Sequence, residues 1–329
     1  MIKIEQLITS RMSIRELYMD LVYEWEDEFQ KIMNVSFYHE RHFRGKRLLI
    51  KIIEKIPQLS FLLQTSQSAF LFELNDYRSN DINNANNIYP CIIDFYVNDS
   101  DLDYFIRRHC NNRIVFISSR QAYDYLSSKQ LPFKIEHLPL SLPTRYKITP
   151  QTTFEKKYDL LIMGRPNPVL LSFVERYASA HLDFVFVNRK FEEGHFVYYT
   201  SNGEKLGNKD SRLDYIQLLR LSRVCIYSTP GMDNDRFQTN GFHQVTPRFL
   251  EMLACGCHVM ARYERNSDTD YYELSQHWPS IDNYEQFSSC LDSYLDKAPD
   301  LNFYSNYLEK HYTCKRIEQL KNALKDIQL

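Results

Sequence analysis

The spacing of apolar positions changes along this chain, and each change marks a change of element. Leu17, Leu21, Trp25, Phe29 and Ile32 recur three or four apart and predict an amphipathic helix over 13–33. "RGKRLLIKIIEKI", 44–56, predicts a second, basic helix that stops before Pro57. Short apolar runs then take over: "AFLFEL" (69–74), "YPCIIDFYV" (89–97), "RIVFISS" (113–119) and "IEHLPL" (135–140). The helical patterns "DLDYFIRRHC" and "RQAYDYLSSK" separate the last three. Strands alternating with helices imply βαβ units and a parallel sheet, whose strands are apolar on both faces. The polar stretch 142–157 has two prolines and four threonines and reads as an interdomain linker.

Beyond it the alternation restarts. "YDLLIMG" (158–164) reads as a buried strand, "NPVLLSFVERYASA" (167–180) as a helix and "LDFVFVN" (182–188) as a strand. "DSRLDYIQLLRLSR" (210–223) is a capped helix and "VCIYST" (224–229) a strand. An irregular loop, 230–245, leads to a short helix at 247–255 and the strand "CHVMARY" (257–263). "NYEQFSSCLDSYL" and the last thirty residues are helical. The expected fold class is α/β, with two Rossmann-like halves and a helical tail. Ligands of such sheets bind beyond the carboxyl ends of the strands.

Composition narrows the function. A net charge of -2 supplies no basic field for nucleic acid, so no nucleic-acid partner is expected. No apolar run reaches the ~18 residues of a membrane span. Lys3, Glu5 and Gln6 interrupt the N-terminal apolar residues, so no signal peptide is expected. The seven cysteines are scattered without a CxxC, which points to a reducing, cytoplasmic setting and to neither a zinc knuckle nor a disulfide framework. With only 8 glycines, the chain lacks the phosphate loops of dinucleotide dehydrogenases and P-loop NTPases.

The segment "HQVTPRFLEMLACGCHVMARY", 243–263, carries the most chemistry. Thr246 suits an N-cap and Pro247 the first helical position. Phe249, Leu250 and Leu253 supply the buried stripe, and Gly256 suits the left-handed residue that ends a helix. A helix start offers amide N–H groups and a positive dipole end to a phosphate. Glu251 lies one turn further on the same face. Read alone, it is either a solvated helix acid or a carboxylate placed to accept two hydrogen bonds from a ribose diol.

"TPRFLEMLACGCHVM" resembles the S/T-x-x-x-x-E-A-x-A-C-G-x-P-V-like donor-site string of GT-B glycosyltransferases, particularly family 4 and the CgeB/YkvP-like group. The similarity spans most of 158–325, including the "GR" after the first strand and the "LLRLSRVCIYST" segment. It implies two Rossmann-like domains facing a cleft. The acceptor domain would cover 1–145, with a helical start, and the donor domain 146–300. Helices in 301–329 would return to the N-terminal domain. It implies Glu251 as the ribose acid, with Val245, Thr246, Pro247 and Arg248 at the diphosphate. Gly164 and Arg165 would lie at the leaving phosphates, and Asn188 and Arg189 near the base. Family 4 has a further acid eight residues before Glu251; here that position is His243. The family's retaining mechanism and its sugar contact are therefore both open, with His243 either a phosphate or sugar donor or a plain loop residue.

On the acceptor side, Asp94 ends one predicted strand, and Ser118, Ser119 and Arg120 end another. Asp94 reads either as the base for an acceptor hydroxyl or as a loop cap. Helix 44–56 reads either as a core-facing helix with a solvated basic side or as a peripheral membrane contact for a lipid-linked acceptor. The partners implied are a nucleotide-sugar donor and a glycan or lipid-linked acceptor, as in surface polysaccharide synthesis. Neither cofactor nor metal is expected. Two alternatives stand beside the transferase: an inactive nucleotide-binding scaffold, and a GT-B-fold sugar-nucleotide epimerase.

Overall fold

The computed structural model describes residues 2–11, 19–39, 67–74, 84–164, 166–193 and 195–325. The predicted basic helix 44–56 and Arg165 lie outside these residues. The chain divides into two compact units, each with its own sheet.

Unit 1 comprises Met1–Thr144, Gln238–Phe242 and Thr313–Leu329. Its strands are β1 (Gln6–Thr9), β2 (Ser36–His39), β3 (Ala69–Leu74), β4 (Ile88–Ile93), β5 (Ile114–Ile117) and β6 (Lys134–His137). They pair in parallel in the order β2-β1-β3-β4-β5-β6. Helices α1 (Asp20–Met33), α2 (Leu102–His109) and α3 (Arg120–Ser127) belong to the same unit. One side of the sheet buries Leu7, Phe70 and Phe116 against Phe29 of α1, whose ring stacks on Phe70 at 5.3 Å. The other side buries Ile92, Val115 and Ile117 against Phe105 and Leu126. Phe242 completes that second cluster, packing edge-on to Phe95 at 5.3 Å, although its neighbours in sequence from 243 onward belong to unit 2.

Unit 2 comprises Arg145–Phe237 and His243–Tyr312. Its strands are β7 (Tyr158–Leu161), β8 (Phe186–Glu192), β9 (His195–Thr200), β10 (Lys205–Asn208), β11 (Ser222–Ser228) and β12 (His258–Arg262). The order is β10-β9-β8-β7-β11-β12, antiparallel through the β8-β9-β10 meander and parallel elsewhere. Its helices are α4 (Pro168–Ala180), α5 (Arg212–Arg220), α6 (Pro247–Ala254), α7 (Ser267–Tyr271), α8 (Leu274–His277), α9 (Tyr284–Asp296) and α10 (Leu301–Glu309). Leu160, Val224 and Met260 of the sheet pack against Leu170 and Val174 of α4 and Phe287 and Leu291 of α9. After α10 the chain re-enters unit 1 as α11 (Thr313–Lys325), which sets Ile317, Leu320 and Leu324 into the Leu7–Phe70 core.

The structure departs from the sequence expectations in several places. Strand β1, at residues given no element, precedes the helix expected over 13–33, which is described from Asp20 to Met33; Leu7 and Ile8 of β1 are buried between two neighbouring strands. The β9–β10 hairpin occupies residues given no element, and "LDFVFVN" becomes strand only from Phe186 because 182–183 form a turn. The expected linker 142–157 is not free-running: Leu142 and Ile148 are buried, and the Leu142 carbonyl accepts from the Thr313 amide at 2.9 Å.

Helix α6 closes as its sequence requires. Gly256 takes φ +64, and its amide donates to the Leu253 carbonyl at 3.0 Å. A Cβ at this position would fall on the Phe154 ring. Gly256→Ala therefore combines left-handed strain with a clash and should destabilise the protein by about 1–3 kcal/mol. A urea midpoint unchanged from wild type would show that this closure tolerates a side chain.

Candidate functional site

Unit 2 reverses its strand order at β7: β8 lies on one side and β11 with β12 on the other. Chains leaving the carboxyl ends of β7 and β11 diverge, and open α/β sheets take ligands at such a switch point. Gly164, just past β7, sits at φ +72, where a Cβ would lie 2.7 Å from the Arg248 guanidinium carbon. The glycine thus admits the arginine as well as the turn. Arg248 is half-buried at the second position of α6, and its Nη1 makes one long hydrogen bond, 3.5 Å, to the Met163 carbonyl. Its charge is felt at the hydroxyls of Tyr198, Tyr215 and Tyr227, opposing the rise that burial imposes on each. Among the described residues no carboxylate pairs with Arg248.

The two amides that precede Pro247 at the start of α6 are engaged inside the protein. Thr246 has the extended backbone of an N-cap, but its hydroxyl caps nothing. Its N–H donates to the Tyr227 hydroxyl at 2.9 Å. The Val245 N–H donates to the carboxylate of the fully buried Asp268, and Pro247 has no N–H. What this helix start presents is therefore the Arg248 side chain rather than the 245–247 backbone.

Glu251 is not a solvated helix acid. It is 2% exposed, and both carboxylate oxygens are held: Oε1 by Arg212 Nη2, Oε2 by the Tyr215 hydroxyl at 2.7 Å. Burial, and then Glu251 itself, pushes the Tyr215 hydroxyl well above its ordinary value, so it remains a donor. Arg212 and Tyr215 stand three apart on α5 and share a face. Sequence reasoning treated this helix as scaffold, although that i,i+3 spacing of cation and hydroxyl was visible. Tyr227 and Asp268, the anchors of the α6 start, gave no local signal.

A second ionic knot closes the carboxyl ends of β7, β11 and β12. Arg262 grips Asp233 through Nε (2.6 Å) and Nη2 (2.8 Å). Asn167, which caps α4 with its oxygen, donates to the same carboxylate at 2.8 Å. The pairing holds the Asp233 carboxyl below its ordinary value. Among the described residues, no group of three or more His, Cys, Asp or Glu could hold a metal.

The remaining expected donor-side residues are dispersed. Asn188 and Arg189 lie within β8 rather than at its end; Asn188 Oδ1 accepts from the Arg189 amide, and the Arg189 guanidinium lies 3.7 Å from the centre of the Phe196 ring. Half-buried His243 accepts at its carbonyl from Asn266 at 3.3 Å. In unit 1, Asp94 directly follows β4 in a left-handed conformation, φ 53. Ser118 is buried. Ser119 spends its oxygen capping α3, accepting from the Ala122 amide at 3.2 Å, and Arg120 pairs with Asp124 at 2.9 Å. Unit 1 also holds an acid that sequence reasoning missed. Glu26 of α1 accepts from the Thr9 hydroxyl at 2.6 Å, at the end of β1, and pairs with Arg11 at 3.1 Å.

Comparison with known proteins agrees with this architecture. No protein-family model matches the chain, and no curated protein matches it in sequence. Sucrose-phosphate synthase from Thermosynechococcus elongatus superposes with a TM-score of 0.53 at 9% identity, over 98% of this chain and 98% of that one. The pneumococcal O-GlcNAc transferase GtfA, solved with UDP and GlcNAc, superposes with a TM-score of 0.50 at 11% identity, over 82% of this chain. The match spans only 59% of GtfA. UDP-GlcNAc 2-epimerase from Methanocaldococcus jannaschii gives a TM-score of 0.48 at 10% identity. The fold is α/β of the GT-B class, with two Rossmann-like domains.

Glu26 generates a pH prediction. Burial raises its carboxyl from 4.5 to about 7, against the pull of Thr9 and Arg11. Between those values the folded chain keeps a proton that the unfolded chain has released. Stability therefore falls as pH rises through this window, by up to about 3 kcal/mol. Urea midpoints at about pH 5 and about pH 8 should separate more in wild type than in Glu26→Gln; equal separations would remove Glu26 as the cause.

Proposed function

We propose that unit 2 binds a nucleotide-sugar through its diphosphate at Arg248 and that the chain is a glycosyltransferase. The observation that carries this reading is the half-buried Arg248 guanidinium. It stands beside a side-chain-free Gly164 at the strand-order reversal, with no carboxylate partner among the described residues. A cation so placed suits an anionic ligand, and its charge would offset that developing on a leaving nucleoside diphosphate. Arg165 belongs to the same role on the family resemblance. Glu251 then takes the ribose, and Asn188 and Arg189 the base side. The acceptor, a glycan or lipid-linked glycan, falls to unit 1, with Asp94 as the candidate base. The fold shared with a transferase solved with UDP and GlcNAc makes UDP the first nucleotide to test.

His243, standing where the family has an acid, favours a second reading: a GT-B protein that binds nucleotide without turnover. The two readings separate once a nucleotide is known, because only the transferase consumes the matching sugar nucleotide in the presence of acceptors.

Calorimetric titration with UDP, GDP, ADP, dTDP and CMP should find one ligand. Arg248→Ala should then weaken its binding by about tenfold or more. Glu251→Ala should cost on the order of 2–3 kcal/mol, roughly 30- to 150-fold. No binding by wild type, or full affinity in Arg248→Ala, would overturn the donor-site reading.

A further inference from the structure

We infer that Arg212 is a positioning residue that makes the Glu251 site selective for ribonucleotides over 2′-deoxyribonucleotides; the inference rests on the reading of unit 2 as a nucleotide site. A carboxylate 2% exposed has surrendered its hydration and depends on protein donors. Glu251 has one on each oxygen, from the shared face of α5. Arg212 is not a loose surface arm. Its side chain is 15% exposed, and its guanidinium lies 5.6 Å from the centre of the Tyr146 ring and 5.1 Å from that of Tyr215. Ser211, whose oxygen accepts from the Asp214 amide at 3.1 Å, fixes the helix start from which Arg212 projects.

Each carboxylate oxygen can accept two hydrogen bonds. With Arg212 on Oε1 and Tyr215 on Oε2, one acceptor position remains on each. Two adjacent acceptors on a pre-oriented carboxylate match the two hydroxyls of a vicinal diol. A deoxyribose supplies one hydroxyl and leaves the second acceptor desolvated and unmet. Sites built to hydrogen-bond a substrate hydroxyl reject analogues lacking it far more strongly than apolar sites reject a missing methylene. Arg212 acts through Glu251: it supplies the counter-charge and holds Oε1, so its loss should erase discrimination rather than merely weaken binding.

The test is calorimetric titration of UDP, ADP and GDP beside their 2′-deoxy counterparts on wild type, Arg212→Met, Arg212→Lys, Tyr215→Phe and Glu251→Gln, with thermal melts confirming folding. Wild type should prefer the ribonucleotide by about tenfold or more. Arg212→Met, which keeps the stem between the two tyrosines, should bring that ratio towards one. Arg212→Lys should fall between, because a point charge does not reproduce the planar fork. An unchanged ratio in Arg212→Met alongside a collapsed ratio in Glu251→Gln rejects the role of Arg212 and leaves the nucleotide reading standing. Unchanged affinity and ratio in Glu251→Gln reject that reading at Glu251 itself. Wild type binding both sugars equally overturns the inference outright. If Arg212→Met does not fold, Arg212→Lys and Tyr215→Phe read the same ratio, and full discrimination in both counts against the proposal.

Discussion

A carboxylate on the buried face of a helix must be neutralised by whatever packs against it, and much of unit 2 around α6 follows from that constraint. Glu251 sits among Phe249, Leu250, Met252 and Leu253, all buried. Its charge is met by α5, so α5 and α6 are joined by an ionic and hydrogen-bonded contact. The start of α6 is pinned in turn by Tyr227 and Asp268, which take the two amides that precede Pro247. Arg248 is the cation left over. Its helix is fixed at the start and one turn in, so the guanidinium is carried on a rigid base while its charge stays unspent.

The same logic separates the two ionic groups of this sheet edge. Arg262 and Asp233 satisfy each other in a fork, with Asn167 completing the set, and so they brace the loops. Arg248 has no such partner among the described residues and makes only one long bond to a carbonyl. The two arginines thus differ: Arg262 consumes its charge in structure, and Arg248 has no carboxylate on which to spend it among the described residues.

The parts of this arrangement legible in the sequence were those governed by local rules. Parallel strands buried on both faces announce themselves as unbroken apolar runs, and β3, β4, β5, β7, β11 and β12 were visible for that reason. Helix α6 was visible from Pro247 to its glycine closure. The start of β8 was visible too, but its polar second half and the β9–β10 hairpin at the sheet's edge were not, because they form no sustained apolar run bounded by helices. The turn "SNG" between β9 and β10 was its local marker. Among the candidate site residues, Glu251 was singled out by spacing and resemblance and Arg248 by resemblance. The partners of Glu251 and the anchors Tyr227 and Asp268 were not, because they meet α6 across tertiary distance. An amide's availability to a ligand is likewise settled by whichever distant side chain reaches it first.

Unit 1 is assembled from three separated stretches of chain, and this bears on the order in which the protein is made. Its aromatic cluster lacks Phe242, and its main core lacks Ile317, Leu320 and Leu324, until those later stretches have been synthesised. Unit 2 ends at Tyr312 and so holds all of its residues before α11 exists. Unit 1, which holds the earlier residues, is therefore completed after unit 2. On the ribosome, the face of its sheet that holds Leu7 and Phe70 has Phe29 of α1 but not yet the apolar stripe of α11 while unit 2 emerges.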